Sequence, residues 1–205
     1  MLTLYYAPGS CSFASYIALE ETAADFETVR LDFRDNQQQS PDYLEVNPKG
    51  RVPALVTDKG ILSETPAILT YLAHAFPEKQ LLPFNDPFAI GKVQSLNAYI
   101  CATLHVAHAH RFRGHRWADD EAAIKEMSRK APEVVEECFV MLERDLFEGP
   151  FAIGDAFTIS DPYLYTVSTW MEFDEVDLNK VPRLVEYRER MKERPAFKRA
   201  IAGHV

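Results

Sequence analysis

The sequence predicts an α/β layer built on a mixed sheet, followed by a wholly helical half. Three observations carry this. Through residue 76 short apolar runs and helical spacing alternate as strand, helix, strand, irregular segment, strand, strand, helix. Residues 77–86, PEKQLLPFND, hold two prolines and no period. From residue 87 onward apolar residues recur at three- and four-residue steps. The resulting division is an N-terminal unit over 1–78, a linker at 79–86 and an all-α unit over 87–205.

Each element has a local cause. Leu2 to Tyr6 is a short apolar run that Pro8-Gly9 ends. Ser10 to Glu21 carries Ala14, Ala18 and Leu19, good helix formers. Phe26 to Leu31 reads as a second strand. Residues 34–50 are polar, with Tyr43-Leu44-Val46 enough for one short helix. Ala54–Thr57 and Ile61-Leu62 flank Asp58-Lys59-Gly60, a hairpin signal. A helix over Thr65–Phe76 has Thr65 as its expected N-cap and Pro66 at the first helical position, where proline fits.

The second half reads as helices over 87–115, 119–147, 159–173 and 182–194, and a short one after Pro195. Val93, Leu96, Ile100 and Leu104 mark the buried stripe of the first of these, and Gly149-Pro150 breaks the second. Thr158-Ile159-Ser160-Asp161 fits a capping box, with Thr158 accepting from the Asp161 amide and Asp161 reaching back. Phe157 and Pro162 occupy the staple positions. Such a cap is worth about 1 kcal/mol.

Charge and cysteine use narrow the function. A net charge of −9 argues against nucleic acid or an anionic membrane surface as the main partner, because both reward basic faces. No apolar stretch reaches the roughly 18 residues of a membrane span, and the start lacks a secretory pattern, so a cytoplasmic protein is expected. Three widely spaced cysteines, Cys11, Cys101 and Cys138, give no disulfide framework and suit reduced thiols.

Three motifs carry chemistry. Tyr5-Tyr6-Ala7-Pro8-Gly9-Ser10-Cys11-Ser12 puts a thiol at a strand-to-helix turn, where partial positive charge should lower its pKa. There is no C-x-x-C, so redox chemistry here needs an external thiol. Ser10 and Ser12 are alternative hydroxyl donors. Asn47-Pro48-Lys49-Gly50-Arg51-Val52-Pro53 offers an X-Pro step which, if cis, turns the Val52 amide and carbonyl toward a ligand. Ser63-Glu64-Thr65-Pro66 is a helix start suited to a carboxylate, with Glu64 available for an ammonium and Lys49 and Arg51 for a second carboxylate. Together they describe a pocket for a small, acidic, thiol-bearing peptide.

His105 and His108 share a helix face while His110 does not, so a metal site is set aside in favour of one histidine acting on the thiol as donor or general acid. The basic run Arg111–Arg116 reads as a solvated helix end favouring the dipole more readily than as an anion site.

In this order, the YYxPGxCS, NPKGRVPAL, SETPAI and FTISDPYL segments resemble the cytosolic glutathione transferase superfamily over essentially all 205 residues, its bacterial beta class above all. The resemblance implies a thioredoxin-like N-terminal domain, a helical C-terminal domain and usually a homodimer. It implies a cis Pro53, Val52 pairing with the cysteinyl backbone of glutathione, and Glu64 and Thr65 binding the γ-glutamyl group. Cys11 matches the beta-class cysteine at the glutathione sulfur, and His105 the histidine near it. Three positions depart from that pattern: Val106 replaces a lysine, Tyr16 a histidine, and Ala98 an asparagine that here stands one place earlier as Asn97. Tyr5, Tyr6 and Ser10 remain hydroxyl alternatives to Cys11, because other classes use one near this turn.

The function expected is conjugation of glutathione to small hydrophobic electrophiles, with no metal. The alternatives are thiol–disulfide exchange or peroxide reduction through a mixed disulfide on Cys11, and a noncatalytic glutathione-binding scaffold.

Overall fold

The structure is a computed structural model that describes residues 1–204. Strands β1 (Leu2–Tyr6), β2 (Phe26–Arg30), β3 (Ala54–Thr57) and β4 (Gly60–Ser63) form one sheet in the order β2-β1-β3-β4. β1 runs parallel to β2 and antiparallel to β3, and β3 and β4 make a hairpin with Thr57 opposite Gly60. A parallel neighbour needs a crossover, and helix α1 (Ser12–Thr22) supplies it. The mixed, thioredoxin-like sheet is thus as expected, with strand ends within a residue or two of the sequence reading.

Both sheet faces are covered. Leu4 and Leu55 meet Ile17 and Leu19 of α1 and Ile68, Leu69 and Leu72 of α3 (Thr65–Ala75), all fully buried. On the other side Tyr43 of the short α2 (Pro41–Val46) packs with Leu31, Val52 and Ala54. α2 begins where Ser40 Oγ accepts from the Tyr43 amide at 3.3 Å.

The segment read as a linker is held in the fold. Leu81 and Leu82 are buried, and the Leu81 carbonyl accepts from the Ile159 amide at 2.9 Å. The expected helix over 87–115 is interrupted. It runs as α4 (Pro87–Tyr99), a π-helical segment at Ile100–Leu104, α5 (His105–Arg113) and a 3₁₀ turn at Gly114–Arg116. The next is α6 (Glu121–Met141), capped by Asp120 and followed by a second π segment at Leu142–Leu146. α7 (Ser160–Ser168), α8 (Pro182–Lys192) and α9 (Pro195–Gly203) complete the chain.

α7 ends five residues before the expected limit. Ser168 Oγ donates to the Tyr165 carbonyl and Thr169 Oγ1 to that of Thr166, both at 2.6 Å. Hydroxyls that take backbone carbonyls compete with the helical ladder, and the chain closes into turns here. The capping box is present in one direction. Asp161 Oδ2 accepts from the Thr158 amide at 2.7 Å, but Thr158 Oγ1 takes the Ser160 amide at 3.3 Å instead of that of Asp161. The other Asp161 oxygen accepts from the Ala152 amide and the Tyr187 hydroxyl. This wholly buried carboxyl therefore ties α7 to the 150s loop and to α8. Its pKa rises to about 6 through burial, which outweighs these bonds.

The two halves share one apolar core. α1 packs on α7 and α9 as well as on α3. Leu4, Ile17 and Ile68 are continuous with Val93, Tyr163 and Phe197. Arg194 bonds Glu21 at 2.8 Å and Arg199 bonds Glu20 at 2.6 Å across the same seam. The cleft between the halves therefore has fixed walls.

Candidate active site

The thiol sits at the bottom of that cleft. β1 ends at Tyr6, Gly9 takes a left-handed φ of 70°, and Cys11 becomes the N-cap of α1 without a side-chain cap bond. The neighbouring serines are engaged in the turn. Ser10 Oγ donates to the Ala7 carbonyl at 2.8 Å and lies 2.6 Å from Ser12 Oγ, which accepts from the Ala7 amide.

The Cys11 thiol instead faces the Val52 carbonyl at 3.5 Å. Although the residue keeps a little surface, its sulfur is enclosed, and burial pushes its pKa up to about 11. A hydrogen bond from Thr65 and the charge of Arg113 favour the thiolate but do not overcome this. The expected lowering at the helix start is thus reversed in the free protein. Desolvation by the cleft walls outweighs partial charges that fade within a turn.

The opposite lip is the Val52-Pro53 bond, which is cis as expected. Two side chains hold the approach to it: Tyr43 Oη and Asn47 Nδ2 both donate to the Arg51 carbonyl, at 2.7 and 2.6 Å. Gly50 has φ 59°, and a Cβ there would lie 2.3 Å from Gln39 Nε2, so glycine suits this bend on both counts.

At the start of α3 the N-cap is Glu64 rather than Thr65, with φ 73°. Non-glycine residues held at positive φ cost of order 1–3 kcal/mol and cluster at ligand clamps. Thr65 is the first helical residue, buried and facing the cleft. Lys49 Nζ donates to Glu64 Oε1 at 2.7 Å and to Ser63 Oγ at 2.9 Å.

The helical half supplies the third wall. Cys101 in the π segment and His105 just after it both line the cleft, with Tyr163 of α7 and Trp170 beyond them. His105 lies 5.1 Å from Trp170 and 6.3 Å from His108, ring to ring. Burial, and then the nearby His108, lower its pKa to about 4. His105 is therefore a neutral imidazole near pH 7, suited to donating or accepting one hydrogen bond rather than to acting as an imidazolium acid. His108 stacks on Trp170 and bonds Asp174 at 2.7 Å, whereas His110 stacks on Trp117. Among the described residues no group of three or more His, Cys, Asp or Glu is placed to hold a metal ion.

The cleft encloses about 510 Å³ and brings together Ser10, Cys11, Arg51, Val52, Pro53, Glu64, Thr65 and His105. Residues 1–74 match the family described as glutathione S-transferase, N-terminal domain, and residues 108–202 match its C-terminal domain. Glutathione S-transferase GstA of Escherichia coli O157:H7 is 34% identical, over 98% of each chain. A glutathione transferase homologue from Sulfitobacter, solved with bound glutathione, is 40% identical with a TM-score of 0.97 over 100% of this chain and 99% of its own. The bacterial beta class enzyme of Sphingomonas chungbukensis is 30% identical with a TM-score of 0.85, over 98% of each chain.

The chain belongs to the glutathione S-transferase family. As a glutathione transferase it is an enzyme with glutathione as co-substrate, which is what the ordered motifs implied. Not every sequence candidate of this transferase reaches the cleft. Tyr5 packs on Tyr43, and Tyr6 directs its hydroxyl to the Gly203 carbonyl at 3.4 Å; neither lines the cavity. Tyr163 is the tyrosine that does. Lys49 stands beside the cavity, taken up by Glu64. Tyr16, at the usual histidine position, packs on Tyr6, Phe26 and His204, away from the thiol. Asn97 is buried with both side-chain polar atoms unpartnered.

Sequence reasoning did not assign Cys101, Tyr163 or Trp170 to the site, although Cys101 was noted as a thiol and Tyr163 stands within the FTISDPYL segment. It flagged Arg111–Arg116 and preferred a solvated helix end to an anion site there. Arg111 is largely buried and held by Glu175, Asp174 and the Phe173 carbonyl, while Arg113, His115 and Arg116 line the cleft.

Proposed function

We propose that this glutathione transferase docks glutathione along the sheet side of the cleft and joins its sulfur to a small, largely apolar electrophile held by the helical wall. The observation that carries the reading is the convergence of Cys11, Val52 and Thr65 on one cavity. In this reading the Val52 peptide pairs with the cysteinyl backbone beside cis Pro53. The γ-glutamyl carboxylate meets the amides and hydroxyl at the start of α3, and its ammonium meets Glu64. Lys49 and Arg51 serve the other carboxylate, and Ser10 shapes the turn under the sulfur.

Conjugation needs the glutathione thiolate. Cys11 is the residue we assign to the glutathione sulfur, as a hydrogen-bond partner or by a transient disulfide, with neutral His105 as a further donor. Tyr163 and Trp170 offer the aromatic surface for the electrophile. Three free thiols and an acidic surface support a cytoplasmic detoxification enzyme. By family likeness we propose a homodimer. Among the described residues no helix is long and apolar enough to cross a membrane.

The test is calorimetry with glutathione, followed by turnover of a chromogenic aryl halide. No heat and no thermal shift at several millimolar glutathione would end this reading. Sedimentation equilibrium reports the dimer. Disulfide exchange keeps a place as the second reading because the cleft holds a cysteine, rather than a hydroxyl alone, beside the Val52 carbonyl.

A further inference from the structure

The helical wall of the cleft carries positive charge that the two carboxylates of glutathione do not call for. Arg51, Arg113 and Arg116 all line it, in a protein whose net charge is −9. Glu64 is the one acidic residue among the described lining residues, and Lys49 already pairs with it. Arg111, two places before Arg113, is neutralised by Asp174 at 3.8 Å and by Glu175. Among the described residues no carboxylate lies within ion-pair distance of Arg51, Arg113 or Arg116, although arginines elsewhere are mostly paired. Arg116 shows the effect of this crowding: burial first, then Arg113 and Arg51, lower its pKa.

Glutathione brings two carboxylates and one ammonium. The start of α3 suits the first carboxylate, Glu64 the ammonium, and Lys49 with Arg51 the second carboxylate. Arg113 and Arg116 are left over. They stand at the end of α5 and in the 3₁₀ turn after it, on the helical wall and not on the sheet side. Arg113 is close enough for its charge to act on the Cys11 sulfur. A group bound by this pair would therefore meet the helical wall of the cleft, near the thiol.

We propose that Arg113 and Arg116 form an anion subsite in the electrophile half of the cleft, so that the preferred second substrate carries a carboxylate on an apolar or aromatic body. Two unpaired guanidiniums at the mouth of a desolvated cavity bind a carboxylate through charge-assisted, planar hydrogen bonds. Trp117 and Trp170, which line the same wall, suit the apolar body. This refines the proposed conjugation reaction and rests on it.

The experiment uses unreactive conjugates, so that binding is read without turnover. The affinity of the whole protein for glutathione, S-benzylglutathione and S-(4-carboxybenzyl)glutathione is measured by calorimetry. The carboxylated conjugate should bind at least tenfold more tightly than the uncharged one. Raising salt from about 50 to about 500 mM should remove most of that preference. Arg116→Gln should cut the preference severalfold while moving the glutathione affinity less than twofold, and Arg113→Gln should cut the preference as well.

Equal binding of the two conjugates by the unaltered protein overturns the proposal, and this holds even if neither variant folds. A loss of glutathione affinity in the variants with the preference intact also overturns it, by assigning the pair to the glycyl carboxylate. Failure of glutathione itself to bind removes the underlying function as well, and so is told apart from failure of the subsite alone.

Discussion

The Cys11 thiol donates to the Val52 carbonyl, 3.5 Å away across the cleft. One partner is the N-cap of α1, and the other precedes the cis proline before β3, 41 residues along the chain. Burial at this corner of the cleft holds the thiol protonated.

Ligand-free Cys11 should therefore be a slow nucleophile. With its pKa raised to about 11, only about one part in ten thousand is thiolate at pH 7. Iodoacetamide labelling of the Cys11 peptide, followed by mass spectrometry, should be slower than labelling of free glutathione at pH 7.5 and should climb with pH toward 11. A fast, pH-independent rate below pH 8 would show that the cleft lowers the pKa instead.

The two candidate reactions should separate on one substitution. Disulfide exchange requires a sulfur at position 11 for the mixed disulfide, so Cys11→Ala should abolish it. Conjugation requires only donors to the glutathione thiolate, and His105 and the α1 amides remain, so part of it should survive. Cys11→Ser should retain more conjugation than Cys11→Ala. Undiminished exchange in Cys11→Ala would remove Cys11 as the covalent site.

Thr65 should matter to glutathione affinity more than its size suggests. It is buried at the helix start and its hydroxyl faces the cleft sulfur. Thr65→Ala should weaken glutathione by about 1–3 kcal/mol, the range for a lost hydrogen bond to a charged group. Thr65→Ser should restore most of it in the same titration.

Asp161→Ala should be among the more destabilising single changes. It strands the buried amides of Ala152 and Thr158, while the Tyr187 hydroxyl keeps the Asp161 carbonyl as its acceptor. The expected loss is about 3 kcal/mol or more by urea unfolding, since each unpaired buried donor costs about 1–3 kcal/mol. Asp161→Asn, which keeps one acceptor oxygen, should lose less. A loss under about 1 kcal/mol for the alanine variant would contradict this account.

His204 should make the fold acid-sensitive. It stacks on Phe13 with ring centroids 4.4 Å apart, its Nε2 is unpartnered, and burial lowers its pKa to about 4 from 6.5. A histidine with a lowered native pKa gains protons first in the unfolded chain, so stability falls as pH drops from 6.5 toward 4. His105, lowered likewise, adds to this fall, whereas Asp161, raised to about 6, opposes it between 6 and 3.8. The readout is therefore differential. His204→Phe should flatten the decline of melting temperature between pH 6.5 and 4 relative to the unaltered protein, and parallel curves would remove His204 as a contributor.

Much of this molecule is legible without coordinates because its causes are local. Pro8-Gly9, Asp58-Lys59-Gly60 and Pro66 set turns and helix starts from two or three residues each, and the strands they bound appear at their expected places. The sheet-side half of the candidate site is legible for the same reason. A thiol at a turn, an X-Pro step and a helix start each declare their chemistry within one short segment, and their order along the chain pointed to the family.

What only the tertiary structure decided depends on residues distant in sequence. The π segment at 100–104 is one example: a single extra residue in a turn rotates everything after it by about 100°, so it alters which of Cys101, His105, Arg113 and Arg116 face the cleft. No propensity marks that register. The Cys11 pKa is another. The helix start that should lower it is visible locally, but the desolvation that raises it comes from burial among segments distant in sequence, with the Val52 carbonyl 3.5 Å from the thiol. The sequence alone determined which groups are available and where the chain turns. Packing alone determined which of them lose water and meet, because burial and charge act through space and not along the chain.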